Sequence, residues 1–483
     1  MGEGASPFHS GIRLFNNEEH CLGWNDGRNP LPFVLAKDVA SAILAAIKAD
    51  DNVLGRTDNI IGGVRMSAQF DTSDTEHALN WTPTTDRAIF IRQGILAPAC
   101  ALRNSAPRQR PRILHVFSTF DIGGPQVRVS QLISHWGDGI EHWICAHDGK
   151  CDARILLSSD APVRFIHDIL LNRREIWSRL YLLGKYLHSA PVDLICTYNW
   201  GALDIVLANR LFAKRPMVHH EDGFNFDEIV RQHPIRLLYR MMSYPGASKI
   251  VTVSRNLEAI AHSVWKQPKH RTIYLPYGVD VALFSKAPRD NAIPNFVRCP
   301  DEIIIGSVAR LDKVKNLPLL VRAVALLGEK RKVRLVIIGK GPQMEAFREA
   351  ALSCGMAGRL VLPGFVSHPQ NFLGLFDIFA MSSDSEQFPI SLLEAMATAL
   401  PCIATDVGDC KDILPIASKP FVTPPGDVEA LALSLHSLVE NQSLRKTLGE
   451  ANRIEVCKRF SMEKMVSLYE QIYSNVAGCS MPI

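Results

Sequence analysis

No CxxC pair occurs in the chain, and its 11 cysteines are scattered singly from Cys21 to Cys479. A dispersed, odd-numbered set fits free buried thiols and argues against a zinc ribbon or a disulfide framework. Any apolar run of about 18 residues, the length a spanning helix needs, is also absent. The opening MGEGASPFHSGIRLF lacks the charged-then-apolar pattern of a secretory signal, so a cytoplasmic location is expected. One-sided charge is missing as well. With 53 Lys+Arg against 49 Asp+Glu the net charge is only +4, too small a basic excess for a protein that lives on nucleic acid. There is no convincing DxD metal element. The one HE pair, in His220-Glu221-Asp222-Gly223-Phe224, lacks the second histidine of HExxH, so no metal and no resident cofactor is expected.

Present instead are 483 residues of ordinary globular composition, 47% hydrophobic and 21% charged, enough for several domains. Residues 103–111 combine prolines and arginines without apolar periodicity and read as a linker. A second break falls at Ala287–Pro300, which carries three prolines. The expected organisation is a small α/β segment at 1–102, the linker, a domain at 112–287 and a domain at 288–483, whose last helix is expected to cross back to the preceding domain.

Both larger segments alternate short β-rich runs with stretches of helical spacing. In the first the runs are RILHVFST, HWICAHD, VDLICTY, PMVHH, KIVTVS and RTIYLP, with helical stretches such as Gln126–Trp136 and Leu203–Phe212. In the second they are EIIIGSVA, VRLVIIG, RLVLPGF, DIFAMSS, PCIATD and KPFVTP, with Leu317–Leu327 and Pro389–Ala399 between them. Such alternation predicts two α/β domains with parallel sheets, whose ligand cleft lies at the carboxyl ends of the strands.

Chemistry concentrates there. Glu386 stands just before a helix expected to begin at Pro389, and Glu394 lies in its second turn. Two carboxylates there could clamp hydroxyl pairs, although a helix-dipole partner and a solvated position are the plainer alternatives. Arg310 ends the first strand of this domain and Lys315 precedes the next helix, a spacing suited to a diphosphate or simply to a solvated loop. Gly339 and Gly341 turn the chain after a strand, a weak pattern alone. Gly123 and Gly124 lie between the first strand and helix of the earlier domain, where the backbone could approach a ligand closely.

The seven-residue spacing of Glu386 and Glu394, together with RLDKVKN, IGKGP, LPGF, EAMATALP and ATDVGD in this order, resembles the retaining GT-B glycosyltransferases of family four. The resemblance covers Arg112 to about Asn475 and implies a GT-B fold, two Rossmann-like domains facing across a cleft. It implies that Arg310 and Lys315 hold a donor diphosphate, that Glu386 binds the sugar and that Glu394 binds the nucleotide ribose. The implied donor set extends to Gly123, Gly124, Gly339, Gly341, Phe365, Val366, Gln387, Phe388 and Pro389. A His-Gly pair usual near the reacting centre is matched imperfectly by His219-His220-Glu221-Asp222-Gly223; His220, then Asp222, are the expected reacting-centre residues, or both only shape the pocket. Gln387 stands where the family has glycine, and Tyr277 stands where its turn has asparagine.

The expected reaction is retaining transfer of a sugar from a nucleotide-diphosphate sugar to a hydroxyl of a sugar or lipid-linked acceptor, without metal, in surface polysaccharide or glycolipid synthesis. Peripheral membrane contact is an expectation from Leu170–Ser189 and Arg231–Met242, which mix arginines with large apolar residues. Residues Asn29–Ile47 and Asn59–Gly63 resemble the carboxyl-terminal lobe of extended short-chain dehydrogenases, and without a Gly-rich loop before them they read as a remnant with no catalysis of its own. The rival readings are a sugar epimerase or dehydratase centred on that lobe and a noncatalytic nucleotide-sugar-binding protein.

Overall fold

The computed structural model describes residues 12–14, 21–24, 29–35 and 110–479, apart from 167–174, 225–227, 229–231, 329–330 and 357. The chain divides into two compact units, Met1–Pro107 and Arg108–Ile483. In the first, β1 (Ile12–Leu14), β2 (Cys21–Trp24) and β3 (Asn29–Leu35) form an antiparallel sheet in that order. Most of the dehydrogenase-like segment, from residue 36 onward, lies outside the described residues.

The second unit holds two parallel sheets. The first runs β10-β9-β8-β7-β4-β5-β6, formed by β4 (Arg112–Phe117), β5 (Glu141–Ala146), β6 (Val163–Phe165), β7 (Leu194–Tyr198), β8 (Met217–Glu221), β9 (Lys249–Thr252) and β10 (Thr272–Tyr274). The second runs β13-β12-β11-β14-β15-β16, formed by β11 (Ile303–Val308), β12 (Val333–Ile338), β13 (Leu360–Gly364), β14 (Ile378–Ala380), β15 (Cys402–Thr405) and β16 (Val422–Thr423). Central strands such as β7 and β15 are buried at every residue, because helices cover both faces.

The helices of the first sheet are α1 (Gly124–Trp136), α2 (Ile176–Ser189), α3 (Leu203–Ala208, continued by a π turn over Asn209–Ala213), α4 (Pro234–Ser243) and α5 (Arg255–Ser263). Those of the second are α6 (Leu317–Ala325), α7 (Met344–Ser353), α8 (Ile390–Ala397), α9 (Cys410–Ile413), α10 (Val428–Glu440) and α11 (Gln442–Arg459), followed by α12 (Met462–Ala477). Local capping sets several starts: Ser254 Oγ accepts from Leu257 N–H at α5, and Asn441 Oδ1 accepts from Leu444 N–H at α11.

The chain returns to the first sheet through α12. Met465, Val466, Tyr469, Ile472 and Tyr473 pack with Leu132, Trp136, Cys196 and Val218 in one core. At the crossing Val279 N–H donates to Phe460 C=O at 2.9 Å and Met462 N–H to Val279 C=O at 3.0 Å, so the two interdomain passages are paired. In both sheets strand order reverses beside the first strand, between β4 and β7 and between β11 and β14. Loops after such neighbours diverge to opposite faces and open a crevice at the strands' carboxyl ends.

Candidate active site

On the second sheet the loops after β11 and β14 bound the crevice, and they bring Lys315 and Glu386 together. Ser382 Oγ donates to the carbonyls of Lys315 and Asn316 at 3.1 and 2.9 Å, Asp384 N–H donates to Val314 C=O at 2.8 Å, and Asn316 Nδ2 donates to Asp384 at 2.8 Å. With the two loops tied, Lys315 Nζ lies 2.6 Å from Glu386 Oε1, an oxygen that also accepts from Ser383 Oγ at 2.8 Å. This pair is sheltered, at 22% and 10% side-chain exposure, whereas Arg310 is 73% exposed and turned onto Asp312. One cation is therefore built into the crevice, whereas the other is exposed and paired with Asp312.

Gly339 and Gly341 do more than turn the chain. A Cβ on Gly339, whose φ is +153°, would fall 1.8 Å from Ala309 C=O, and one on Gly341 would fall 2.4 Å from Leu311 C=O. Both glycines let the loop after β12 lie directly on the loop that carries Arg310. Phe365 is 41% exposed after β13, and Val366 packs on the core beside it.

Helix α8 begins one residue later than expected, with Pro389 as its extended N-cap, and ends at Ala397. Pro389 and Phe388 are buried; Phe388 stands 6.0 Å, ring to ring, from Tyr277 across the cleft. Glu394 is half-buried and, among the described residues, its carboxylate has no hydrogen-bond or ion-pair partner. Desolvation pushes it up to about 8, so near neutral pH it holds a proton that hydroxyl or backbone donors could displace.

Across the cleft Gln387 touches the first sheet's edge: its Oε1 accepts from Ser254 Oγ at 3.1 Å, and Gly223 lies against its Cγ. Asp409 accepts from the N–H groups of Arg255 and Asn256 at 2.7 and 3.3 Å, at the N-terminus of α5. Burial raises its carboxyl above the usual aspartate range. Ser254 and Asp409, which hold the two strand ends together, were not singled out in the sequence; Asp409 lies inside the quoted ATDVGD, the one signal that pointed near it.

His220 and Asp222 occupy different positions from those expected of reacting groups. His220 is fully buried, with Nδ1 3.2 Å from Thr197 C=O and Nε2 3.2 Å from Tyr473 Oη. Burial, with the nearby Arg128 charge adding to it, holds its imidazole neutral. Strand alternation turns this side chain under α12, so it is a core group and not one that reaches the cleft. Asp222 is bound by Arg128, at 2.5 and 3.2 Å, and accepts from Tyr277 Oη at 2.7 Å. Its carboxylate, 3% exposed, is thus committed to Arg128 and Tyr277. Gly124 passes directly beneath Tyr277, whose Oη would stand 2.9 Å from a Cβ there; Gly123 is the extended N-cap of α1. The tyrosine that replaces the expected asparagine thereby serves the glycine loop and Asp222. Arg128 had no sequence signal, because it sits in a run of helical spacing like any solvated arginine.

Among the described residues no group of three or more His, Cys, Asp or Glu side chains is arranged to hold a metal ion, and no helix is long and apolar enough to cross a membrane.

Comparison with known proteins agrees with this architecture. Residues 289–455 match the family model described as glycosyl transferases group 1. Among curated relatives, N-acetyl-alpha-D-glucosaminyl L-malate synthase of Bacillus anthracis is 27% identical over 304 residues, covering 62% of this chain and 77% of the relative. The putative glycosyltransferase EpsF of Bacillus subtilis (strain 168) is 28% identical over 323 residues, covering 61% and 79%. Anabaena HepE in complex with UDP superposes with a TM-score of 0.63 at 18% identity over 75% of this chain and 100% of its own. Sucrose-phosphate synthase from Thermosynechococcus elongatus gives 0.64 at 20% identity over 76% and 100%. Fold and segment match point the same way: residues 289–455 are similar to the glycosyl transferases group 1 model, and the fold is GT-B, two Rossmann-like domains.

Proposed function

We propose that this chain transfers a sugar from a nucleotide-diphosphate sugar to an acceptor hydroxyl, with retention at the anomeric carbon and without a metal, in the synthesis of a surface polysaccharide or glycolipid. The observation that carries the reading is the pairing of Lys315 with Glu386 at the second sheet's strand-order reversal, with Glu394 unpartnered one helix turn beyond. A donor entering this crevice divides the pair. Lys315 turns to the diphosphate, Arg310 swings from Asp312 to join it, and Glu386 takes the sugar hydroxyls. Glu394, giving up its proton, accepts from the ribose.

Positive charge and backbone N–H groups at the head of α8 then stabilise the leaving diphosphate as the glycosidic bond breaks. The departing phosphate oxygen takes the acceptor proton on the same face, which leaves the anomeric configuration unchanged. Asp222 acts through Tyr277 and Gly124 by shaping the wall opposite. Because HepE, a fold neighbour, is described in complex with UDP and glucose, uridine diphosphate sugars are the first donors to screen. The acceptor is sugar or lipid-linked, and peripheral membrane contact belongs to the same reading.

The test is product-detected turnover over a panel of nucleotide sugars, with the anomeric coupling of the product read by NMR and the assay repeated in chelator. Retained configuration and chelator-insensitive turnover are expected. An inverted product, or loss of turnover restored by a divalent cation, overturns the corresponding part of the proposal.

A further inference from the structure

Helix α4 is amphipathic with its faces reversed. It buries Arg240 and Ser243 against the protein and turns Ile235, Leu238, Met241 and Met242 outward, at 72%, 59%, 37% and 44% exposure. The reversal is held in place. Arg240 makes hydrogen bonds of 2.9 and 2.8 Å to both oxygens of Glu228, and its guanidinium lies over the rings of Trp200, Phe224 and Trp265 at 5.0–5.6 Å. Rotating the helix to hide its apolar side would strand the buried Glu228 carboxylate and pull Arg240 off three rings, a cost that opposes the gain from covering four side chains.

Two further elements extend this face. Helix α2 buries Leu180, Leu183 and Leu187 yet also exposes Trp177 at 69% and Tyr181 at 56%. From the π turn after α3, Phe212 lies on Gly184 and meets Tyr181 edge to face at 5.8 Å, still 42% exposed. The three elements are tied into one surface: Arg179 pairs with Asp204 at 2.8 Å, Tyr239 Oη donates to the same carboxylate, and Arg210 donates to Met242 C=O. A contiguous patch of this kind on a soluble unit marks an interaction site.

Its surroundings decide the occupant. Lys185, Arg210 and Lys214 are exposed along it, while Asp204 and Glu228 are neutralised by their arginines; exposed Glu175, at the start of α2, is an opposing acid among the described residues. Exposed tryptophan and tyrosine with aliphatic side chains and a cationic margin is the composition of a surface seated in lipid headgroups. We propose that the face formed by α2, the π turn and α4 docks on an anionic lipid bilayer. This face gives the membrane contact proposed above its place on the molecule, and the purpose of docking rests on the transferase reading.

Flotation of the full chain with vesicles tests this, comparing phosphatidylcholine alone with phosphatidylcholine containing about 30 mol % phosphatidylglycerol, at low and high salt. The chain is expected to float with the anionic vesicles at low salt and to be weakened by salt. Ile235→Asp with Leu238→Asp, both at exposed positions, should lower the bound fraction about tenfold while leaving the thermal melting profile and uridine diphosphate affinity unchanged. Failure of the wild-type chain to float, or variants that float as well as it does, overturns the proposal. So does a wild-type dimer that the same substitutions dissociate in the absence of vesicle binding, since the face would then belong to a second copy. Flotation without any nucleotide binding would support docking and count only against the transferase reading.

Discussion

Lys315 Nζ sits 2.6 Å from Glu386 Oε1, so the crevice stores opposite charges in contact before any donor arrives. An anionic donor must exchange this ion pair for a phosphate on the lysine and hydroxyls on the glutamate. The same shelter that makes the pair strong makes each partner costly to remove alone.

Lys315→Ala is therefore expected to cost donor binding and transfer about 2–4 kcal/mol, the scale of a lost anion-stabilising donor. Arg310→Ala should cost less in nucleotide affinity, because that side chain begins exposed on Asp312, and more in turnover. Calorimetry with free nucleotide and steady-state kinetics separate the two. Unchanged constants in both variants would remove the diphosphate from this crevice.

Glu394 carries a proton up to about pH 8 when unliganded, against an unperturbed value of 4.5. Its folded value is raised, so its stabilising contribution is full below about 4.5 and is lost as the pH rises through about 8. Wild-type stability should fall across that window relative to Glu394→Gln, as read by denaturant titration at several pH values. Nucleotide binding should release a proton near pH 7, giving an apparent enthalpy that varies with the buffer's ionisation enthalpy; the glutamine variant should lose that variation and about 1.5–3 kcal/mol of affinity. Glu386→Gln should instead change transfer and sugar selectivity. Equal loss of nucleotide affinity in both variants would mean that the two roles are misassigned.

Arg128→Met leaves the Asp222 carboxylate buried and unpaired, for an expected loss of about 3–5 kcal/mol in stability. The double variant Arg128→Met with Asp222→Leu should recover most of that loss, because it strands neither charge. Urea unfolding of the four proteins of this cycle measures the coupling. Additive effects would show that the pair contributes no more than its separate parts.

Removal of residues 1–107 is expected to leave nucleotide binding and transfer intact, since every proposed site residue lies from Gly123 onward and the chain divides into compact units at that point. Turnover of the shortened chain against full length, with matched donor and acceptor, is the comparison. A soluble, folded, inactive product would make the first unit part of the active architecture.

All six β-rich runs read in each of the two larger segments became strands, because buried parallel strands need near-continuous apolar residues whatever their neighbours. The short edge strand β6, Val163–Phe165, escaped: three residues, one of them an exposed arginine, carry too little pattern. Lys315 and Glu386 meet because strand order brings the loops after β11 and β14 to one crevice; in the sequence it was the family resemblance, not local pattern, that linked them with Arg310. What only the tertiary structure decided is the direction of each side chain. Adjacent residues on β8 point to opposite faces, and α12, arriving from the far end of the chain, closes over His220. Arg128 finds Asp222 94 residues away, and Asp409 reaches the head of α5 across the cleft. The outward face of α4 belongs to the same class: periodicity marked the helix as amphipathic, but which side faced inward depended on Glu228 waiting there for Arg240, a pairing that local spacing cannot encode.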